Sequence, residues 1–285
     1  MPLRLTTNTK TLIIGLSVSS GRVRVRRTAP PDDTPLSLSE VVAQLVHVLS
    51  PTNQRSPCRS TIYPGGRCAC SEITEEDTCE MTPSMDPKVP VCLGPAHLLP
   101  GRPCLVYSAG MEASVSFETE LARFGCAVHV FHPLADLNAS ALPEEIQVHA
   151  LGLSGATQLV RYGESEMKLL TLDELVSVMG HQRRRIDYLK INVADEWDVL
   201  RQQFDGGAAL WGIPQLAVTL RFPRQVLEGA AGKSDQPNGG SVKDYLQRLK
   251  TLQSAGFQLV SSQPGKTKFE GTALSHEYHT FWVRE

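Results

Sequence analysis

The second part of the sequence alternates short apolar runs with amphipathic segments, and this alternation limits the folds that the chain can adopt. From about residue 98 onward the apolar runs are CLVYSA, AVHVFH, VHALGL, IDYLKINV, QLAVTLRF, FQLVSS and YHTFWV. Helical candidates lie between several of them, at 116–124, 172–179, 196–204 and 242–255. Strands that alternate with helices are typical of a mostly parallel sheet that is covered on both faces. The pattern therefore predicts an α/β domain of this kind.

Composition divides the chain into three parts. Residues 1–35 are predicted to be a signal-like or disordered segment, 36–97 a Cys-containing extension, and 98–285 the α/β domain. Within the extension, the segment SLSEVVAQLVHVLS has clear helical periodicity, and Ser37 or Ser39 is available as its N-cap.

The overall charge argues against several classes of partner. The chain has 285 residues, 28 Lys and Arg, 30 Asp and Glu, and a formal net charge of −2. This balance gives no signal for bulk binding to nucleic acid or to an acidic membrane surface. The apolar runs are all shorter than the roughly 18 to 20 residues that span a bilayer, so we predict no transmembrane segment.

The N-terminal segment leaves three localisations open. The run TLIIGLSVSS has about the length of a secretory h-region and ends in small residues, although its Ser and Thr content is high for one. The segment has no acidic residue before Asp32 and is rich in Arg and Ser, which also fits a mitochondrial presequence. A disordered tail on a cytoplasmic protein is the third interpretation. We favour the secretory pathway or secretion.

Cysteine placement supports this preference. Five of the seven cysteines lie in the loop-rich extension: Cys58, Cys68, Cys70, Cys79 and Cys92. Their spacing does not match C-x2-C zinc ligands, so we predict no metal site and favour disulfides in an oxidising compartment. Free surface cysteines in a cytosolic protein are the alternative. Because the count is odd, at least one thiol stays unpaired, and we expect it to be a buried one such as Cys104.

The first apolar run of the domain ends in a turn of small residues, Ser108, Ala109 and Gly110. A strand that passes through such a turn into a helix is an architecture that holds nucleotide-like cofactors. The turn has no GxGxxG motif. Taken alone, it fits a plain turn and a cofactor loop equally well.

Five segments carry a family resemblance: the first strand with VYSAG, the helix start SFE, a second strand that ends in HP, the stretch IDYLKINVADEW, and the closing YHTFWV. Their type and order resemble the methyltransferase-domain family that includes methyltransferase-like protein 24. The upstream segments PCRSTIYPGGRC and VCLGPAHLL resemble the part that precedes the catalytic domain of this family. The likeness covers roughly residues 38–285.

The resemblance implies a class I, Rossmann-like methyltransferase that depends on S-adenosyl-L-methionine. The expected fold is a seven-stranded, mostly parallel sheet with helices on both faces and an antiparallel C-terminal strand. By position, Tyr107, Ser108, Ala109 and Gly110 would form the loop against the methionine part of the cofactor. Glu118 of the SFE element would lie near this loop.

Two departures from the family pattern fall on carboxylates. The acidic residue that accepts hydrogen bonds from both ribose hydroxyls is replaced by His132, and a neutral imidazole accepts only one. Asn192 stands in place of Asp in a stretch that is one residue shorter. The resemblance implies that His132 and Asn192 belong to the cofactor site and that the cofactor binds there with lower affinity. Asp136, Asp195 and Glu196 are candidates to supply the missing carboxylates.

Two functions follow from this mixture of matches and departures. The first is an S-adenosylmethionine-dependent methyltransferase with an unidentified acceptor, and the second is a binding or scaffold protein whose cofactor site has decayed. The sequence identifies no catalytic side chain, since the sulfonium of the cofactor already activates the leaving group. The absence of a G-x-S-x-G elbow argues against a hydrolase.

Overall fold

A computed structural model describes residues 15–19, 22–26, 37–51, 57–65, 69–73, 79–82, 89–94, 97–98, 101–110, 115–134, 144–223 and 242–284. The chain forms two compact units, Met1–Glu40 and Val41–Glu285. In the first unit, β1 (Gly15–Ser19) and β2 (Arg22–Arg26) pair as an antiparallel hairpin.

The extension contains one helix and four short strands among its described residues. They are α1 (Leu38–Val48), β3 (Ser60–Ile62), β4 (Ala69–Ile73), β5 (Cys79–Thr82) and β6 (Val91–Leu93). Ser37 caps α1 as predicted: its Oγ accepts from the Glu40 N–H at 3.4 Å, and its own N–H donates to Glu40 Oε2 at 2.7 Å.

The remaining elements follow in chain order, and most of the strands coincide with predicted apolar runs. They are β7 (Cys104–Ala109), α2 (Ser116–Arg123), β8 (Cys126–Phe131), β9 (Ile146–His149), β10 (Gly152–Leu153), β11 (Gln158–Tyr162), β12 (Ser165–Leu170), α3 (Leu172–Val178), β13 (Tyr188–Ile191), α4 (Glu196–Phe204), a 3-10 turn (Ala209–Gly212), β14 (Gln215–Arg221), α5 (Val242–Ser254), β15 (Gln258–Pro264) and β16 (Glu277–Val283).

A seven-stranded sheet organises the second unit. Its strand order is β9-β8-β7-β13-β14-β16-β15, and β16 is antiparallel to both of its neighbours while the other pairs are parallel. Counted along the chain, the order is 3-2-1-4-5-7-6, which reverses between β7 and β13. The predicted fold class and the antiparallel C-terminal strand are confirmed.

Both faces of the sheet are buried, because successive side chains of its strands point alternately into two hydrophobic clusters. Leu105, Tyr107 and Ala109 of β7 face the cluster that contains α1, α3, α4 and α5. Cys104 and Val106 face the cluster that contains α2 and apolar residues of the extension. This arrangement is the two-sided burial expected of parallel strands.

One predicted strand divides between two sheets. The run VHALGL was expected to form a single strand, but its first residues belong to β9 in the main sheet. Its last residues form β10, which joins β12 and β11 in a separate three-stranded sheet. The sequence pattern missed the β11–β12 hairpin because its side chains are mostly exposed and therefore carry little apolar periodicity.

Two disulfides link the four cysteines whose side chains the structure describes, Cys58 with Cys92 and Cys104 with Cys126. The expectation that Cys104 stays unpaired is wrong. Cys104 and Cys126 lie directly opposite each other on the neighbouring parallel strands β7 and β8, with Cα atoms 4.5 Å apart. Strand adjacency of this kind is invisible in a single sequence. Cys68 and the side chains of Cys70 and Cys79 lie outside the described part.

Candidate functional site

The loops after β7 and β13 meet where the strand order of the sheet reverses. Ala109 and Ile191, the last residues of the two strands, are paired, and the Asn192 N–H donates to the Ala109 carbonyl oxygen at 2.8 Å. In open α/β sheets, ligands bind outside the carboxyl ends of the strands at such a switch point. Gly110 and Asn192, both predicted from the sequence, follow these strand ends.

Close approach of the two loops requires glycine at position 110. The φ angle of Gly110 is +84°, in the left-handed region that side chains rarely adopt. A Cβ atom there would lie 1.9 Å from the Asn192 carbonyl oxygen. Gly110 is therefore more than a plain turn, since it lets the loop after β7 contact the loop after β13.

A cavity of about 250 Å³ opens above these strand ends. Its wall includes Gly110, His132, Gly152, Leu153, Asn192 and Asp195. The wall thus combines residues that follow β7, β8 and β13 with residues of β10. The position and the mixed polar and apolar wall are typical of a small-molecule site.

Three of the seven predicted site residues, Gly110, His132 and Asn192, line this cavity. The other four, Tyr107, Ser108, Ala109 and Glu118, are each at most 3% exposed and do not belong to its wall. They lie within the domain, beneath the strand ends.

Polar contacts hold these buried residues in place. The Ser108 hydroxyl donates to Glu118 Oε1 at 2.6 Å, and Lys190 Nζ lies 3.2 Å from the same oxygen. The pair joins the start of α2 to β13, and both side chains are at most 5% exposed. Loss of one partner of such a buried pair is strongly destabilising. Glu118 therefore supports the strand ends under the cavity.

His132 belongs to the wall of the cavity. Its Nδ1 atom is buried and has no hydrogen-bond partner among the described residues. Burial lowers the pKa of His132 below its ordinary value, so the ring is neutral at neutral pH and carries one donor and one acceptor nitrogen. Asp136, the first candidate for a replacement carboxylate, lies outside the described residues.

Asp195 brings a carboxylate to the cavity, whereas Glu196 does not. Asp195 belongs to the wall, and its Oδ2 accepts from the Ser154 hydroxyl at 2.6 Å and from the Gly155 N–H at 3.2 Å. Glu196 is 1% exposed, and its Oε1 accepts from the Arg221 N–H. Burial raises the pKa of Glu196 to about 7.

Sequence reasoning missed Phe131, Gly152 and Arg221. Phe131 and Gly152 line the cavity, and a Cβ atom at Gly152 would lie 2.4 Å from Leu169 Cδ2. Gly152 opens the GLSG stretch, in which no residue was predicted to belong to a site. Arg221 contacts the loop after β13 through long-range strand pairing, which leaves no local pattern.

The described residues show neither a metal-binding group nor a membrane-spanning helix. Within these ranges there is no group of three or more His, Cys, Asp or Glu that holds metal-binding geometry. No helix among them is both long enough and apolar enough to cross a bilayer.

The strand order, the antiparallel final strand and the cavity at the switch point define a class I, Rossmann-like methyltransferase fold. A family model described as a methyltransferase domain matches residues 84–226, half of the chain. The chain belongs to this methyltransferase-domain family. Membership implies S-adenosyl-L-methionine as the cofactor, in agreement with the sequence prediction.

Similar solved structures include two bacterial methyltransferases. Streptococcus pneumoniae Sp1610, provisionally described as a tRNA (m1A22) methyltransferase and solved with S-adenosyl-L-methionine, is 12% identical, over 64% of this chain and 67% of that chain, with a TM-score of 0.36. Burkholderia thailandensis 1,6-didemethyltoxoflavin-N1-methyltransferase, solved with 1,6-didemethyltoxoflavin and S-adenosylhomocysteine, is 15% identical, over 65% of this chain and 72% of that chain, with a TM-score of 0.33. No curated protein matches the chain significantly.

Proposed function

We propose that this protein is an S-adenosyl-L-methionine-dependent methyltransferase whose cofactor binds in the cavity above β7 and β13. The observation that carries the proposal is the placement of Gly110, His132 and Asn192 in one cavity wall at the switch point of the sheet. The match to the methyltransferase-domain family supports the same function. The acceptor of the methyl group is unidentified.

The residues of the wall suit the parts of this cofactor. Gly110 leaves the floor free of a side chain, and Asn192 adds an amide beside it. His132 adds an imidazole to the wall, and Asp195 contributes a carboxylate.

The chemistry asks little more of the protein. The cofactor supplies a methyl group on a sulfonium that is already activated as a leaving group. The chain then has to bind and align the two reactants and exclude water. An obvious catalytic triad is therefore not required.

Titration calorimetry with S-adenosylmethionine and S-adenosylhomocysteine tests the proposal. We expect the unmodified protein to bind at micromolar Kd, about −8 kcal/mol. His132→Asp restores a carboxylate that accepts from both ribose hydroxyls, so it should bind more tightly. His47→Asn, at an exposed position of α1, is the matched control and should leave Kd unchanged. Absence of binding in both the unmodified protein and His132→Asp would overturn the cofactor assignment.

One observation favours a second function, a methyltransferase-like binding or scaffold protein with a decayed cofactor site. His132 and Asn192 both stand where the family pattern has a carboxylate. In the same calorimetry, this function predicts no binding until His132 becomes Asp. Tight binding by the unmodified protein contradicts it.

We further propose that the protein folds in an oxidising compartment, the secretory pathway or the cell exterior. The two disulfides, Cys58 with Cys92 and Cys104 with Cys126, support this, because such bonds persist in oxidising surroundings and are rare in the cytosol. The free-thiol content of natively expressed protein tests the proposal.

A further inference from the structure

Arg221, the last residue of β14, joins the wall of the cavity to the neighbouring strand. Its Nη1 donates to the Val193 carbonyl oxygen at 3.0 Å, and its Nη2 donates to Asn192 Oδ1. On the other side, its Nε lies 3.0 Å from Glu277 Oε2 on β16. Asn192 and Val193 both line the cavity. One guanidinium therefore ties the loop after β13 to the sheet.

The fork geometry of arginine explains why one side chain makes all these contacts. A guanidinium carries five N–H donors in a fixed plane, whereas a lysine ammonium is a single compact charge on a flexible stem. In addition to these side-chain contacts, the backbone N–H of Arg221 donates to Glu196 Oε1, at the start of α4. Both ends of the segment from Asn192 to Glu196 are thus attached to Arg221.

Local charge accounts for asparagine at position 192. The carboxylate of Glu277 already faces the guanidinium, with its Oε2 3.0 Å from Nε, and Glu196, whose pKa is raised to about 7, has its Oε2 3.9 Å from Nη1. An aspartate at 192 would add a further carboxylate around one positive charge, and like charges in a partly buried site repel. The neutral amide of Asn192 accepts the hydrogen bond from Arg221 without that repulsion.

We propose that Arg221 is a positioning residue for the cofactor site, which fixes the loop of Asn192 and Val193 in the shape that binds S-adenosylmethionine. This inference rests on the proposed function for its ligand. It assigns Arg221 no contact with the cofactor, since Arg221 acts through the loop.

Arg221→Lys tests the role, because it keeps the positive charge beside buried Glu196 while it removes the fork. We expect at least a tenfold weaker Kd for S-adenosylmethionine, measured by calorimetry. The matched control is Arg248→Lys on α5: Arg248 Nη1 donates to the Trp197 carbonyl oxygen at 3.0 Å, and Arg248 does not line the cavity. We expect the control to change Kd by less than twofold relative to the unmodified protein, while its Tm changes by about as much as that of Arg221→Lys. Equal Kd values for both variants would overturn the proposal.

A double-mutant cycle separates positioning from a general loss of structure. In the unmodified background, Asn192→Ala should weaken binding severalfold. In the Arg221→Lys background the same change should have a smaller effect, because the contact between Asn192 and Arg221 is already lost and only the amide in the wall is removed. Independent, additive effects would contradict a shared role.

Hydrogen exchange distinguishes failure of this inference from failure of the proposed function. Without any ligand, the amides of residues 192–195 should exchange at least tenfold faster in Arg221→Lys than in the unmodified protein, and Arg248→Lys should not change them. If the unmodified protein binds no cofactor, the proposed function fails, and exchange alone then decides whether Arg221 holds the loop. Unchanged exchange in Arg221→Lys would overturn the role.

Discussion

At the scale of single residues, Gly110 meets two separate requirements. Its φ of +84° disfavours any side chain, and the Asn192 carbonyl oxygen occupies the space that a Cβ would need. The first is a conformational cost of about 1 to 2 kcal/mol. The second is a steric clash: a Cβ in that space would force apart the loops after β7 and β13. The two effects therefore have different consequences for the cavity.

Comparison of two glycines separates these effects. Gly163 also has a positive φ, +61°, but an added Cβ would meet no atom within 4 Å. We expect Gly163→Ala to lower stability by about 1 kcal/mol and to leave cofactor binding unchanged. Gly110→Ala should lower stability by at least about 2 kcal/mol and abolish binding. Urea denaturation and calorimetry measure both, and equal stability losses for the two variants would refute the close-contact argument.

The residues of the site differ in how far the sequence could identify them. Gly110, His132 and Asn192 lie at or just beyond the ends of strands that apolar runs predict, and the family resemblance aligned them with cofactor positions. The same resemblance placed Tyr107 in the cofactor loop, yet its hydroxyl lies 2.8 Å from His181 Nδ1, because side chains alternate between the two faces of a strand. Arg221 was not identifiable, since its partners depend on the pairing of β13 with β14.

At the scale of secondary-structure elements, strands that are buried on both faces were predictable and exposed ones were not. The run CLVYSA coincides with β7, whose residues are all buried. In the missed β11–β12 hairpin, by contrast, Leu159 and Tyr162 are 65% and 68% exposed. Apolar periodicity reports burial, so an element that packs little leaves little pattern.

Three histidines from different elements meet beside the cavity wall. His129 Nδ1 on β8 lies 3.0 Å from His149 Nε2 on β9, and the ring of His181 lies 4.9 Å from that of His129. Phe131, which lines the cavity, stacks on His149 with ring centroids 5.1 Å apart. Arg184 adds a positive charge near His181. Protonation of this group therefore introduces repulsion next to the candidate site.

The histidine group predicts a loss of stability in acid. Burial, with nearby His149, His181 and Arg184, lowers the pKa of His129 to about 4. In the unfolded chain the pKa of a histidine is about 6.5. Between about pH 6.5 and 4 the unfolded chain therefore binds a proton at His129 that the folded chain does not bind. The free energy of unfolding should therefore fall as the pH falls from about 6.5 to 4, with up to about 3 kcal/mol from His129.

The measurement has to separate this effect from that of Glu196. The pKa of Glu196 is raised to about 7, so its contribution has the opposite sign: stability falls as the pH rises from the ordinary glutamate value toward 7. Glu196 contributes equally to the free energies of unfolding of the unmodified protein and of His129→Gln, so its contribution cancels when the two values are subtracted. Urea denaturation from pH 4 to 8 should give a shallower acid loss for His129→Gln, while exposed His47→Gln keeps the original slope. A parallel loss in all three proteins would contradict the assignment to His129.

At the scale of the whole molecule, the extension is joined to the sheet by polar contacts as well as by apolar packing. The Tyr188 hydroxyl donates to the Pro90 carbonyl oxygen at 2.8 Å, and the Cys92 N–H donates to Gln215 Oε1 at 2.7 Å. Cys92 is in turn bonded to Cys58. The segments on the two sides of the predicted boundary near residue 98 therefore pack together. That residue 98 marks a domain boundary stays a prediction.

The disulfides give the last prediction, which concerns the oxidation state of the whole chain. Four of the seven cysteines are paired, Cys58 with Cys92 and Cys104 with Cys126, so at most three thiols are free to react in protein with the bonds intact. Natively expressed protein should be denatured without reductant, alkylated and weighed by mass spectrometry. We expect three labels or fewer, and seven after reduction. In the variant with Cys104→Ala and Cys126→Ala, the number of labels without reductant should stay the same, because only paired cysteines are removed. Seven labels on the unmodified protein without reductant would refute the oxidised state and, with it, the proposed compartment.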